Sequence, residues 1–297
     1  MVLPLFSGDP GRVIEVARES EDLGFDGVFA FDHFFPPGGP PEAPSLEVFT
    51  TLAAVAASTE RVAVGTLVAR ASLRPVGLLA KTAAWLDAAS GGRLILGIGT
   101  GDGTDRAEHD TYGIPMFGRD DRRAHLEETL EALGALFAGD AYAGGRLVPP
   151  IDGPLLPPPA RPGGPPIWVA GLAEPVVRLA GRRAHGWNGW GIDADAFAAK
   201  AAVLDEEASA AGRTAEPTWA GIVLVGEDQE QVGRLLERRR ERGMADEVWA
   251  GTPSELAAFL RRLEAAGATW AVLVHAGPKD RRELVARAVL PELSRTL

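Results

Sequence analysis

Arg93-Leu94-Ile95-Leu96-Gly97-Ile98-Gly99-Thr100-Gly101-Asp102-Gly103 joins two different local signals in eleven residues. Leu94 to Ile98 is apolar and rich in branched side chains, which suits a strand buried on both faces of a parallel sheet. From Gly99 onward glycine alternates with Thr100, Asp102 and Thr104. Such a backbone can reach positive φ and turn its N–H groups toward an anion. The spacing is not G-x-G-x-x-G and no helix signal follows at once, so it is not a dinucleotide fingerprint. Taken alone, the run is a core strand followed by an unusually bare loop.

The same strand-and-helix alternation extends outward on both sides. Toward the amino end lie an apolar run Val2 to Phe6, a helical pattern from Arg12 to Leu23, and a strand Gly27 to Phe31 that runs into Asp32-His33-Phe34-Phe35. Then come a helix through Leu46 to Ala57, a strand Val62 to Leu67, and a helix from Pro75 to Ala89. After the glycine loop, Leu126, Leu130, Leu133 and Phe137 recur at helical spacing within a helix from about 119 to 137. An irregular Gly- and Pro-rich segment, about 139–166, reads as an insertion over the surface or a small ribbon rather than as a linker. The alternation then resumes with strands at Ile167 to Ala170, Gly186 to Gly189, Thr218 to Val225 and Trp270 to His275, separated by helical segments. Thr252-Pro253-Ser254-Glu255 carries a helix-start signature. About eight strands in a chain slightly longer than the ~250 residues typical of the fold predict an α/β protein, a (β/α)8 TIM barrel forming a single domain over 1–297. The alternative is an open doubly wound sheet, in which the segment at Leu3 and the strand at Trp270 would not meet.

Composition narrows the function classes. The chain has 297 residues, of which 46% are hydrophobic, and no cysteine, which removes disulfide and thiolate chemistry. A net charge of −11 argues against general nucleic-acid binding. No apolar run approaches the length of a membrane span and the first ten residues lack a signal-peptide order, so a cytoplasmic location is expected, with no membrane partner.

In a barrel, function gathers at the carboxyl ends of the strands. Those positions are Asp32-His33, Thr66-Leu67-Val68, Thr100-Gly101-Asp102, Gly171-Leu172-Ala173, Trp187-Asn188 and His275. His33 is the most informative, because an imidazole beside a carboxylate at a strand end can exchange protons near neutral pH. The plainer reading is a histidine that only hydrogen-bonds within its loop. His109, His125 and His185 sit in or beside charged helical segments and read as surface or satisfied histidines. No His/carboxylate cluster has ligand spacing and no G-x-S-x-G occurs, so neither a metal site nor a serine nucleophile is expected.

Phe31-Asp32-His33-Phe34, Val64-Gly65-Thr66, the run from Arg93 to Asp102, Ile167-Trp168-Val169-Ala170-Gly171, Ala184-His185-Gly186-Trp187-Asn188 and Ala250-Gly251-Thr252-Pro253 occur in one order along the chain. Together they resemble the luciferase-like monooxygenase superfamily, most of all the branch that uses the deazaflavin coenzyme F420. The resemblance implies a TIM barrel with an insertion, a flavin-type cofactor across the mouth, and hydride exchange at deazaflavin C5. It implies that His33 transfers a proton or orients the substrate, that Asp32 contacts the ring, and that Asp102 is a third catalytic group. Thr66, Leu67 and Val68 would form a bulge behind the ring, where this family often has a non-proline cis peptide. Thr100, Gly101 and Asp102 would line the cofactor, Gly171, Leu172 and Ala173 would offer N–H groups to its phosphate, and Trp187 would be a further cofactor contact. A homodimer is compatible with the resemblance.

Two departures from the sugar-phosphate dehydrogenases of this family bear on substrate. Phe34-Phe35-Pro36-Pro37 stands where they carry a Trp soon after the Asp-His pair, and Asp102 stands where they carry Glu. With lysine scarce as well, a less polar small-molecule organic substrate is expected. The leading reading is an F420-dependent oxidoreductase. The others are an FMNH2-dependent flavin monooxygenase on the same barrel, with FMN as cofactor, and a cofactor-free binding or subunit protein.

Overall fold

The computed structural model describes residues 1–101, 106–244, 247–278 and 280–293. The first half contains α1 (Pro10–Asp22), β1 (Gly27–Ala30), α2 (Val48–Ala56), β2 (Ala63–Thr66), β3 (Ala69–Arg70), α3 (Val76–Ala89), β4 (Leu94–Gly99), α4 (Arg106–Thr111) and α5 (Arg119–Ala138). The second contains β5 (Ile167–Ala170), α6 (Glu174–Arg183), β6 (Gly186–Trp190), α7 (Ala194–Ala210), β7 (Glu216–Val225) and α8 (Gln229–Glu241). It ends with β8 (Trp249–Gly251), α9 (Pro253–Ala265), β9 (Trp270–Ala276), α10 (Arg281–Ala288) and α11 (Leu290–Leu293). The named strands pair in parallel in the order β1-β2-β4-β5-β6-β7, with β3 on β4 and both β8 and β9 on β7.

Val2 decides between a barrel and an open sheet. Its N–H donates to the Leu273 carbonyl on β9 at 3.0 Å, and it bridges in parallel to Phe29 on β1. The Leu3 N–H donates to the Phe29 carbonyl and the Phe29 N–H to the Met1 carbonyl, both at 2.8 Å. Met1–Leu3 therefore sits between β9 and β1 and closes the ring, as the barrel reading requires.

The interior is filled by aromatic rings. Phe29 stacks on Trp168 with centroids 5.6 Å apart, and Trp270 packs edge-on against both. Glycines on neighbouring strands make the room: a Cβ at Gly65 would run into the Phe29 ring, and one at Gly186 would come within 2.8 Å of Trp168 Cδ1. These rings form an apolar floor beneath the mouth.

The helices take the faces their sequences present. Leu126, Leu130, Leu133 and Phe137 are buried along α5, as their spacing predicts. At α9 the Thr252 hydroxyl accepts from the Glu255 N–H while Glu255 accepts from the Thr252 N–H at 2.8 Å, a complete capping box. In the insertion, the Tyr142–Ile151 bridge makes a short antiparallel contact. Glu128 of α5 accepts the N–H groups of Arg146, Leu147 and Val148. Among the described residues no helix is long and apolar enough to cross a membrane.

Three short elements were not anticipated: β3, β8 and α4. His275 also departs from its expected place at the mouth. On β9 the interior positions are Trp270, Val272 and Val274, so His275 points outward, with its ring edge-on to Phe25. Part of the residue stays accessible, but both ring nitrogens are shielded and lack a partner among the described residues. Burial, aided by nearby positive charge, pushes its pKa down to about 3. The unfolded imidazole titrates near 6.5, so between these values the unfolded state binds a proton that the folded state does not. Acidification through this window therefore costs stability, on the order of 5 kcal/mol in full and about 2 kcal/mol by pH 5. Urea unfolding of wild type and His275→Leu at several pH values checks this: the variant should lose less stability below about pH 6.5. Parallel curves would refute it.

Candidate active site at the barrel mouth

Chain direction past β1 places the central group. Phe31, Asp32 and His33 leave the strand with alternating side-chain directions, so adjacent residues serve different partners. His33 keeps 23% of its side chain exposed. Its ring lies 6.4 Å from those of Phe6 and Phe31, and Phe31 in turn meets Phe6 at 6.1 Å and Trp190 at 5.9 Å. The imidazole thus stands in a half-buried, largely aromatic recess.

The carboxylate beside His33 is not its sequence neighbour Asp32. It is Glu108 of α4, whose Oε1 lies 2.7 Å from His33 Nδ1. Glu108 Oε2 accepts from the Phe34 N–H at 2.6 Å and from the Arg70 guanidinium at 2.7 Å. Burial works to raise the Glu108 pKa, but the hydrogen bonds from His33 and Phe34 and the positive charge of Arg70 outweigh it and hold the group below the usual carboxylate range. Glu108 is therefore an ionised, acceptor-only group.

Asp32 has a different task. It is nearly fully buried, and both oxygens accept from the Arg74 guanidinium, at 2.7 and 3.0 Å. Oδ2 also takes the Arg70 N–H at 3.1 Å, and Arg74 reaches Glu47 at 2.7 Å. Burial opposes the charge on Arg74, yet Asp32 and Glu47 raise its pKa above the ordinary value. Asp32 thus ties the end of β1 to β3 and α2, and its carboxylate is committed within the protein.

The other expected residues fall at the same mouth with differing exposure. Thr66 is buried and its hydroxyl donates to the Gly97 carbonyl at 2.6 Å. The Leu67–Val68 peptide bond is cis, as the resemblance implies. Leu67 belongs to the interior cluster with Phe29 and Trp168, while Val68 is half-buried. A Cβ at Gly97 would strike the Thr66 carbonyl, and one at Gly99 would lie 3.0 Å from Val68 Cγ2, so the bulge rests directly on β4. Thr100 and Gly101 are half-buried beyond it. Asp102 lies outside the described residues.

Trp187 needs correction as a cofactor contact. It occupies an outward position on β6, fully buried and stacked on Phe197 of α7 at 5.5 Å. Its Nε1–H donates to the Gly171 carbonyl at 2.8 Å, so it supports the Gly171 loop from behind. Lys200 fixes the next carbonyl, Leu172, at 2.6 Å. With these carbonyls held away, Gly171–Ala173 lead into α6, whose Ala173 N-cap makes no side-chain cap hydrogen bond. A helix start without a side-chain cap suits an anionic oxygen. The apolar floor, the bulge and this loop fit a flat ring with a phosphate arm.

Three members of the network, Arg70, Arg74 and Glu108, were missed from sequence. Arg74 stands just before the helix-start at Pro75, and the other two lie on β3 and α4. His109 donates toward the carbonyls of Ile114 and Pro115, and His185 accepts the Ile167 N–H, which makes both structural. Among the described residues no group of three or more His, Asp or Glu could hold a metal ion.

The model of the luciferase-like monooxygenase family matches residues 4–289. The chain belongs to that family. An F420-dependent glucose-6-phosphate dehydrogenase of Microbacterium testaceum is 31% identical over 261 residues, covering 78% of this chain and 75% of that protein. Another of that name, from Kineococcus radiotolerans, is 30% identical over 312 residues, covering 91% and 88%. Among solved structures, an F420-dependent secondary alcohol dehydrogenase in complex with an F420-acetone adduct superposes with a TM-score of 0.80 over 96% of this chain and 95% of that one. At 19% identity this is a likeness of fold. The chain is an oxidoreductase of the luciferase-like family.

Proposed function

We propose that this enzyme uses F420 to move a hydride between deazaflavin C5 and an organic substrate of low polarity, at the mouth of the barrel. The observation that carries the reading is the His33 recess, an imidazole backed by a carboxylate and walled by Phe6 and Phe31. The cofactor assignment follows the names of the relatives that align over most of their length. When bound, the deazaflavin supplies the hydride chemistry, which no side chain here can supply. Thr66, Leu67 and Val68 would back its ring, Thr100, Gly101 and Asp102 would wall it, and the N–H groups of Leu172 and Ala173 would take its phosphate, while Gly171, whose N–H donates to the Asn188 carbonyl at 3.4 Å, would shape the loop. His33 Nε2 would hold or return the proton of the substrate heteroatom. The aromatic recess would exclude water and favour a substrate less polar than a sugar phosphate.

A fluorescence titration with F420 and with FMN tests the cofactor. Tight F420 binding and substrate turnover without oxygen consumption are expected. Tight binding of FMN alone, with oxygen consumed, would replace this reading by a flavin monooxygenase on the same barrel. Binding of neither by folded protein would leave a cofactor-free barrel.

A further inference from the structure

We infer that Glu108 is a positioning residue that fixes neutral His33 as the Nδ1–H tautomer and so leaves Nε2 as the proton acceptor facing the substrate. This rests on the proposed proton-handling role of His33.

Three groups converge on the two oxygens of Glu108. Two of them, the Phe34 N–H and the Arg70 guanidinium, can only donate, and both point at Oε2. The third, His33 Nδ1, meets Oε1 at 2.7 Å. An ionised carboxylate only accepts, so in the neutral ring Nδ1 must carry the proton and Nε2 the lone pair. Among the described residues Nε2 has no hydrogen-bond partner.

A purely structural clasp would need only Oε2. The pair on Oε2 already joins the loop after His33 to β3, and Glu108 is buried whereas His33 is partly exposed. The Oε1 contact adds an orientation to a ring that solvent would otherwise let turn. Glu108 also follows the glycine loop within one stretch of chain, so the same segment would wall the cofactor and aim the imidazole.

Glu108→Gln separates these roles because it keeps the shape and halves the acceptors. The Phe34 N–H and Arg70 both require the remaining oxygen, which turns the amide NH2 toward Nδ1. Nδ1 must then accept and the proton moves to Nε2, where the ring donates to the substrate instead of accepting from it.

The experiment is a long-range 1H–15N correlation on 15N-histidine protein above the imidazole transition, with His33 assigned by His33→Asn, combined with steady-state kinetics. The wild type should show the Nδ1–H pattern. Glu108→Gln should show Nε2–H, with kcat at least about tenfold lower and cofactor affinity unchanged. A wild-type ring in the Nε2–H form overturns the inference, and that measurement stands even if the variant fails to fold. An unaltered tautomer in Glu108→Gln also overturns it. A flipped tautomer with full turnover supports positioning by Glu108 and removes the proton-transfer role of His33, so the two failures are distinguishable.

Discussion

His33→Ala lowers kcat by about 10²–10⁴-fold, the range contributed by a positioned general acid or base, while F420 binds as tightly as to wild type. The separation follows from the surroundings of the ring. His33 touches aromatic side chains and Glu108, whereas the groups proposed to hold the cofactor lie on the bulge after β2 and the loops after β4 and β5, none of which meets the His33 ring among the described residues. Truncation leaves the Phe34 N–H and Arg70 on Glu108, so the loop keeps its clasp. Stopped-flow reduction or oxidation of bound cofactor, together with an equilibrium titration, measures the two effects apart. Unchanged turnover with cofactor bound would remove the catalytic role and leave the fold and the location of the mouth standing.

Asp32→Ala destabilises the fold by about 3 kcal/mol, since removing one partner of a buried ion pair strands the other. Arg74 would lose both of its hydrogen bonds to Asp32, and the Arg70 N–H would lose its acceptor. Glu47 stays on Arg74 and part of that side chain reaches solvent, which keeps the loss at the lower end for such pairs. Denaturant unfolding provides the measurement. The result also decides what Asp32 is for. A cofactor contact of the kind the resemblance implies would weaken F420 binding as well as stability. A tie between β1, β3 and α2 alone lowers stability and leaves the F420 affinity of the folded protein as in wild type.

His33 could be read from sequence because it sits at the end of an apolar run, a position that points to the mouth once a barrel is inferred. Its partner could not. The buried residues of α4 are Glu108 and His109, so the helix has no apolar stripe, and hydrophobic periodicity finds only helices that bury carbon. Arg70 and Arg74 look like ordinary surface charges until the chain turns them onto Glu108 and Asp32. Trp187 differs from its expected place for a related reason: β6 runs on to Trp190, so Trp187 is its second residue and not its last, and parity turns it toward the helices instead of the barrel. A shift of one position changes a ligand contact into a support.

Local chemistry along the chain was enough for the larger design. The branched apolar runs, the helical spacing of α5, the Thr252 capping box and the bare loop after Ile98 are each properties of a few adjacent residues, and they specify strands, helices and turns in the order of a barrel. Tertiary structure alone decided closure, through the Val2 hydrogen bond to Leu273, and the partner of His33, drawn from 75 residues away. Both depend on groups that gain a partner only when distant segments are brought together. A backbone N–H or a carboxylate carries no mark in sequence of which group will satisfy it.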